Sequence, residues 1–141
     1  MSGRDSRTGS ALIEFAAALI LLSGMFTGIF QVSYTFLTYS KLVNAVRAGA
    51  RYASLEAPNS SGANAELAKT VVNMVVYGDT RPAVGAKPVV NGLAPENVEL
   101  VLGPSTATVS VRDFEIDSIF TRVKLVGRPT VTFPFTGGVP K

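Results

Sequence analysis

The sequence predicts an α+β fold: a long N-terminal transmembrane and amphipathic helix, then a small globular head with one further helix and an antiparallel sheet. Three observations carry this. Residues 15–40 contain no charged side chain. Apolar residues then recur at spacings of three, four and seven through residue 53, as on one helix face. Beyond residue 78, proline and glycine separate short runs in which apolar and polar residues alternate, as in strands with one buried face.

Taken in order, residues 1–9 are small, polar and mildly basic, with Arg4 and Arg7, and read as a processing segment rather than part of the fold. They do not suit a conventional secretory signal. Its apolar region is short and ends in small residues, whereas Ala16, Ala17 and Ala18 come early here and the apolar run continues past them. The 26 residues from Phe15 to Ser40 would span about 39 Å as a helix, against a hydrocarbon core of about 30 Å. Residues 10–40 are therefore assigned as a transmembrane helix. Gln31, Ser33, Tyr34, Thr35, Thr38 and Tyr39 make its last third suited to the interface. Arginines precede the span, and Lys41, Arg47 and Arg51 follow it, so charge counting does not orient it.

Residues 41–57 continue the helix as an amphipathic segment carrying Leu42, Val46 and Ala50, with Arg47 and Arg51 four apart on one face. Pro58 and the polar residues 59–62 end it in a loop, and residues 58–141 form the head. Residues 64–77 read as a second amphipathic helix, with Asn64 as N-cap and Gly78 as its stop. Strands are expected at Lys87–Val90, Asn97–Leu102, Ala107–Phe114 and Arg128–Phe135, the last at a sheet edge because Pro134 lacks an N–H. Ile116–Leu125 fits helix or strand.

Composition narrows the chemistry. Cysteine and histidine are both absent, which excludes disulfides, thiolate nucleophiles and Cys/His zinc sites, and removes the commonest general base near neutral pH. A net charge of +3 without any run of Lys or Arg argues against nucleic acid as a partner. No P-loop, dinucleotide-binding glycine pattern or serine–lysine dyad is present. Asp113, Glu115 and Asp117 alternate by two, which would align three carboxylates on one side of a strand. A calcium site is conceivable there, although a solvated strand face explains the same pattern. The sequence points to no catalytic residue, no cofactor and no metal.

Glu14 breaks the apolar run five residues past Gly9. An acid at the bilayer centre costs roughly 2.5–3.5 kcal/mol, less near an interface, unless something pairs with it. The order Gly9-Ser10-Ala11-Leu12-Ile13-Glu14-Phe15 resembles the class III signal of type IV pilins and pseudopilins. The block from Asn44 to Ala53, with Arg47-Ala48-Gly49-Ala50-Arg51-Tyr52-Ala53, resembles that of TadE-like pseudopilins, with Val46 where the family usually has alanine. Residues 71–78 also resemble the second helix of that family.

The resemblance implies a non-catalytic pseudopilin, or minor pilin, of a Tad-type pilus or secretion apparatus, contributing to assembly or adhesion. It implies cleavage by a prepilin peptidase between Gly9 and Ser10, with Glu14 setting register by pairing with the new α-ammonium of a neighbouring subunit. Implied partners are that peptidase, other pilin subunits, an inner-membrane assembly platform and membrane lipids. The implied location is the inner membrane, single-pass, with the C-terminal domain periplasmic, and the resemblance extends to incorporation of the subunit in a surface pilus. Ser10 departs from the phenylalanine frequent in type IV pilins. Arg47, Gly49 and Arg51 serve either packing of the head on the helix or, through the arginines, contact with lipid phosphates. The alternative to this reading is an uncleaved single-pass anchor carrying a periplasmic binding domain.

Overall fold

The computed structural model describes residues 5–57, 64–118, 122–125 and 129–135, with side chains from residue 9 onward except that of Asn64. The chain divides into two compact units, residues 1–34 and 35–141. Helix α1, Asp5–Glu56, contributes to both. It is followed by α2 (Asn64–Tyr77) and strands β1 (Val98–Leu102), β2 (Thr106–Val111), β3 (Glu115–Asp117), β4 (Arg122–Lys124) and β5 (Thr130–Pro134). This is the α+β arrangement expected, with one long apolar helix, one further helix and antiparallel sheets.

The first unit is helix throughout its described residues. The helix starts five residues earlier than the expected Ser10 and includes Gly9. Once nucleated by the apolar run, a helix extends outward at little cost per residue, and one glycine penalises it by about 1 kcal/mol without stopping it.

In the second unit, Leu42, Val46, Ala50 and Ala53 of α1 are fully buried, at spacings of four, four and three. Leu67, Val71 and Val75 of α2 repeat every four residues and are buried too, with Val76 beside them. The end of α2 falls where Gly78 places it. Gly78 has φ +74° and donates its N–H to the Met74 carbonyl at 3.1 Å, which satisfies a terminal acceptor of the helix.

Strands β1, β2 and β5 form a three-stranded antiparallel sheet in the order β1-β2-β5. Val98 faces Val111, Leu100 faces Val109, and Ala107 faces Phe133. These side chains share the face that packs on the core. The opposite face is polar, with Thr108 and Thr132 bonded at 2.9 Å and Ser110 donating to Glu99 at 3.4 Å. Pro134 lies at the end of edge strand β5, where its missing N–H removes no ladder bond to an inner neighbour.

Ile116–Leu125 resolves into strand pairing: β3 and β4 form an antiparallel ladder with Ile116 opposite Val123. Residues 119–121 lie outside the described residues, as do Pro58, the 59–63 loop and Arg128.

One expected strand is absent. Lys87–Val90 is irregular and ends in a bend. Pro88 has no N–H to give to a ladder. Val89 instead donates to the Val76 carbonyl at 2.8 Å, and Val90 plugs the core. Asn97 then ties the 3₁₀ turn Pro95–Asn97 to the end of β2. Its Oδ1 accepts from the Ala94 N–H at 3.0 Å, and its Nδ2 donates to the carbonyls of Arg112 and Asp113 at 3.1 and 3.2 Å.

Candidate membrane helix and assembly residues

The first unit exposes a largely apolar surface. Leu12, Ile13, Phe15, Ile20, Leu21 and Phe26 are each exposed by 66–73%. Contiguous apolar surface of this extent is not stable in water and marks a membrane or a partner surface. By length and composition, the helix is able to cross a membrane.

Two faces of this helix differ. Leu12, Phe15, Leu19, Leu22, Phe26 and Phe30 lie on one side at helical spacing. Ser10, Glu14, Ala17, Gly24 and Gly28 lie on the other, separated by four, three, seven and four residues, with Leu21 the large residue among them. Cβ atoms added at Gly9, Gly24 or Gly28 would meet nothing within 4 Å. Glycines four apart allow a second helix to approach closely within lipid. Sequence reasoning passed over Gly24 and Gly28, although their spacing is the signal that finds them.

Gly9, Ser10 and Glu14 are all helical and exposed. Among the described residues, Glu14 has no ion-pair partner. The structure therefore brings Gly9 and Ser10 within a turn or so of Glu14 on one helix and leaves the carboxylate open to a neighbour.

In the second unit, Gly49 is buried against α2. An added Cβ would lie 2.3 Å from Val75 Cγ2 and 3.5 Å from the Val71 carbonyl oxygen. Ala45, Ala50 and Ala53 are buried as well, so α1 contributes mainly small residues to the core around this contact. Arg47 and Arg51 point outward and are exposed.

The three carboxylates do not form one cluster. Asp113 lies outside β3 in a left-handed conformation, φ +49°. Glu115 pairs with Lys124 at 3.3 Å and Asp117 with Arg122 at 3.0 Å, across the β3–β4 ladder. Among the described residues, no group of three or more acidic side chains is placed to hold a metal ion.

An N-terminal apolar helix joined to a small α+β head defines a class: a chain compatible with single-pass membrane anchoring through its N-terminal end. Residues 9–51 match the family model described as TadE-like protein, so this segment of the chain is TadE-like. The match opens on Gly9 and closes on Arg51, taking in Glu14 and the Arg47-Gly49-Arg51 block. No curated protein and no solved structure gave a match.

Proposed function

We propose that the chain is a pseudopilin, a minor pilin of a Tad-type pilus or a related secretion apparatus. It enters the inner membrane through residues 10–40, with the head on the periplasmic side. A prepilin peptidase removes residues 1–9 by cutting between Gly9 and Ser10. The new Ser10 ammonium and Glu14 pair between adjacent subunits and fix their axial register, because an uncompensated charge in a low-dielectric site is penalised heavily. The face of Ala17, Gly24 and Gly28 takes the backbone of a neighbouring helix, and burial among subunits replaces contact with lipid. The reading gives the subunit no catalytic step.

The observation that carries this reading is the family match over residues 9–51 on a helix whose apolar surface is exposed and whose Glu14 has no ion-pair partner among the described residues. The test is N-terminal sequencing of the protein recovered from membranes of a cell with its own prepilin peptidase. A start at Ser10 supports the reading. An intact leader, where the peptidase is active on another substrate, overturns it and leaves an uncleaved membrane anchor.

A further inference from the structure

The head holds an open groove of about 640 Å³ between the solvent side of α2 and the segment that folds back after it. Lys69, Thr70, Asn73 and Tyr77 line one wall, at helical spacing on the side of α2 opposite Leu67, Val71 and Val75. Thr80, Arg81 and Pro82 lead into the other wall, which ends in a tight turn. That turn is closed by the Ala86 N–H donating to the Ala83 carbonyl at 3.0 Å, with Gly85 at φ +85°. Asn73 Nδ2 donates to the Thr80 carbonyl at 3.4 Å, and Asp79 Oδ1 accepts from the Arg81 N–H at 3.0 Å. The first bond ties the returning segment to α2 and the second holds the turn within that segment, so the groove is formed before any ligand arrives.

Its chemistry is specific in two respects. Lys69 and Arg81, like Lys41, Arg47, Arg51 and Lys87, have no carboxylate partner among the described residues, and here two such cations share one groove. Glu66 is the single acid in the lining, which leaves the groove net cationic. The remaining lining is shared between the polar side chains of Thr70, Asn73, Tyr77 and Thr80 and the small turn residues Pro82, Ala83, Gly85 and Ala86, without the large apolar and aromatic walls usual for small-molecule sites of this volume. Two unpaired cations call for an anion, and the hydroxyl and amide groups call for a ligand rich in hydroxyls. The volume far exceeds that of an inorganic anion. Two cations are too few for a nucleic acid backbone.

We propose that this groove is a binding site for an acidic saccharide. Lys69 and Arg81 take its carboxylate or sulfate groups, and Thr70, Asn73, Tyr77 and Thr80 take its hydroxyls. The proposal stands independently of leader cleavage and of filament assembly.

The test uses the full chain in detergent micelles, with amide NMR shifts and calorimetry. The probes are tetragalacturonate and a heparin-derived tetrasaccharide, against fully methyl-esterified tetragalacturonate and sodium sulfate. Saturable binding of at least one acidic probe, with shifts at residues 69–81, is expected. Lys69→Gln and Arg81→Gln should each weaken it by about tenfold, while Arg122→Gln leaves it unchanged. Absence of binding by both acidic probes up to about 10 mM overturns the proposal. So does equal binding of the methyl ester, an equal response to sulfate, or full affinity in the Lys69 and Arg81 variants.

Discussion

Replacing Gly49 by alanine isolates the contact between α1 and α2. On an exposed helix the change would stabilise by about 1 kcal/mol, because alanine is the better helix former. Here the new methyl would sit 2.3 Å from Val75 Cγ2, well inside contact distance. Val75 is fully buried and, as a β-branched residue in a helix, is held to one χ1 rotamer, so it cannot swing away. Overpacking of this kind costs about 1–3 kcal/mol. The helix must therefore shift, and the net effect is a loss of up to about 2 kcal/mol against the propensity gain.

A double-mutant cycle separates the terms. Val75→Ala alone loses about 1.6 kcal/mol from two methylene equivalents, plus a cavity contribution. In the double variant the methyl at position 49 fills part of that cavity, so the combined loss falls short of the sum by about 1 kcal/mol. The assay is urea unfolding of the full chain in detergent micelles, followed by valine methyl NMR resonances. A stabilised Gly49→Ala, or additivity within about 0.5 kcal/mol, would refute the reasoning.

Three other outcomes follow from the same structure. On the proposed pairing with the α-ammonium of a neighbouring subunit, Glu14→Ala should leave membrane insertion and head stability intact but exclude the subunit from sheared pili, since stranding that ammonium would cost about 3–5 kcal/mol; insertion is read by membrane fractionation and incorporation by immunoblotting. Gly78→Ala should lower head stability by about 1–2 kcal/mol, the cost of a left-handed residue with a Cβ, and the Val89 methyl at 3.3 Å adds crowding; urea unfolding checks it. Calcium at millimolar levels should leave the unfolding midpoint unchanged, as should Asp113→Asn, because Glu115 and Asp117 already face Lys124 and Arg122 across the strand pair.

Much of this architecture was legible because local chemistry decided it. The uncharged run wrote α1, and the four-residue repeat of Leu67, Val71 and Val75 wrote α2. Gly78 fixed its end, since a position at φ +74° suits glycine. The alternation around Val109 and Val111 gave β2 its buried face. Lys87–Val90 misled because two valines resemble a strand, while the partner that claims the Val89 N–H is a helix carbonyl thirteen residues earlier. The groove was invisible for a similar reason. Lys69 and Arg81 share a lining because the segment after α2 folds back on it, held by the Asn73–Thr80 and Val89–Val76 bonds, a closure that no periodicity announces. At the membrane end, Glu14 and Gly9 stood out as departures from an apolar pattern, whereas Gly24 and Gly28 blended into it.

The continuity of α1 through Gly9 bears on what cutting there would do. A peptidase acts on extended backbone, so it would have to melt a turn that the structure holds wound, and glycine makes that turn the cheapest to open. Once the bond is broken, residues 10–13 become the first turn of a new helix, and their N–H groups lose the carbonyls that had satisfied them. Glu14 then sits one residue beyond that turn, near the positive end of the helix dipole. A carboxylate that was an expensive interruption in mid-helix becomes a group at a helix start. The cut would thus shorten the chain and also bring its one membrane acid from the interior of a helix to within about one turn of a free helix start.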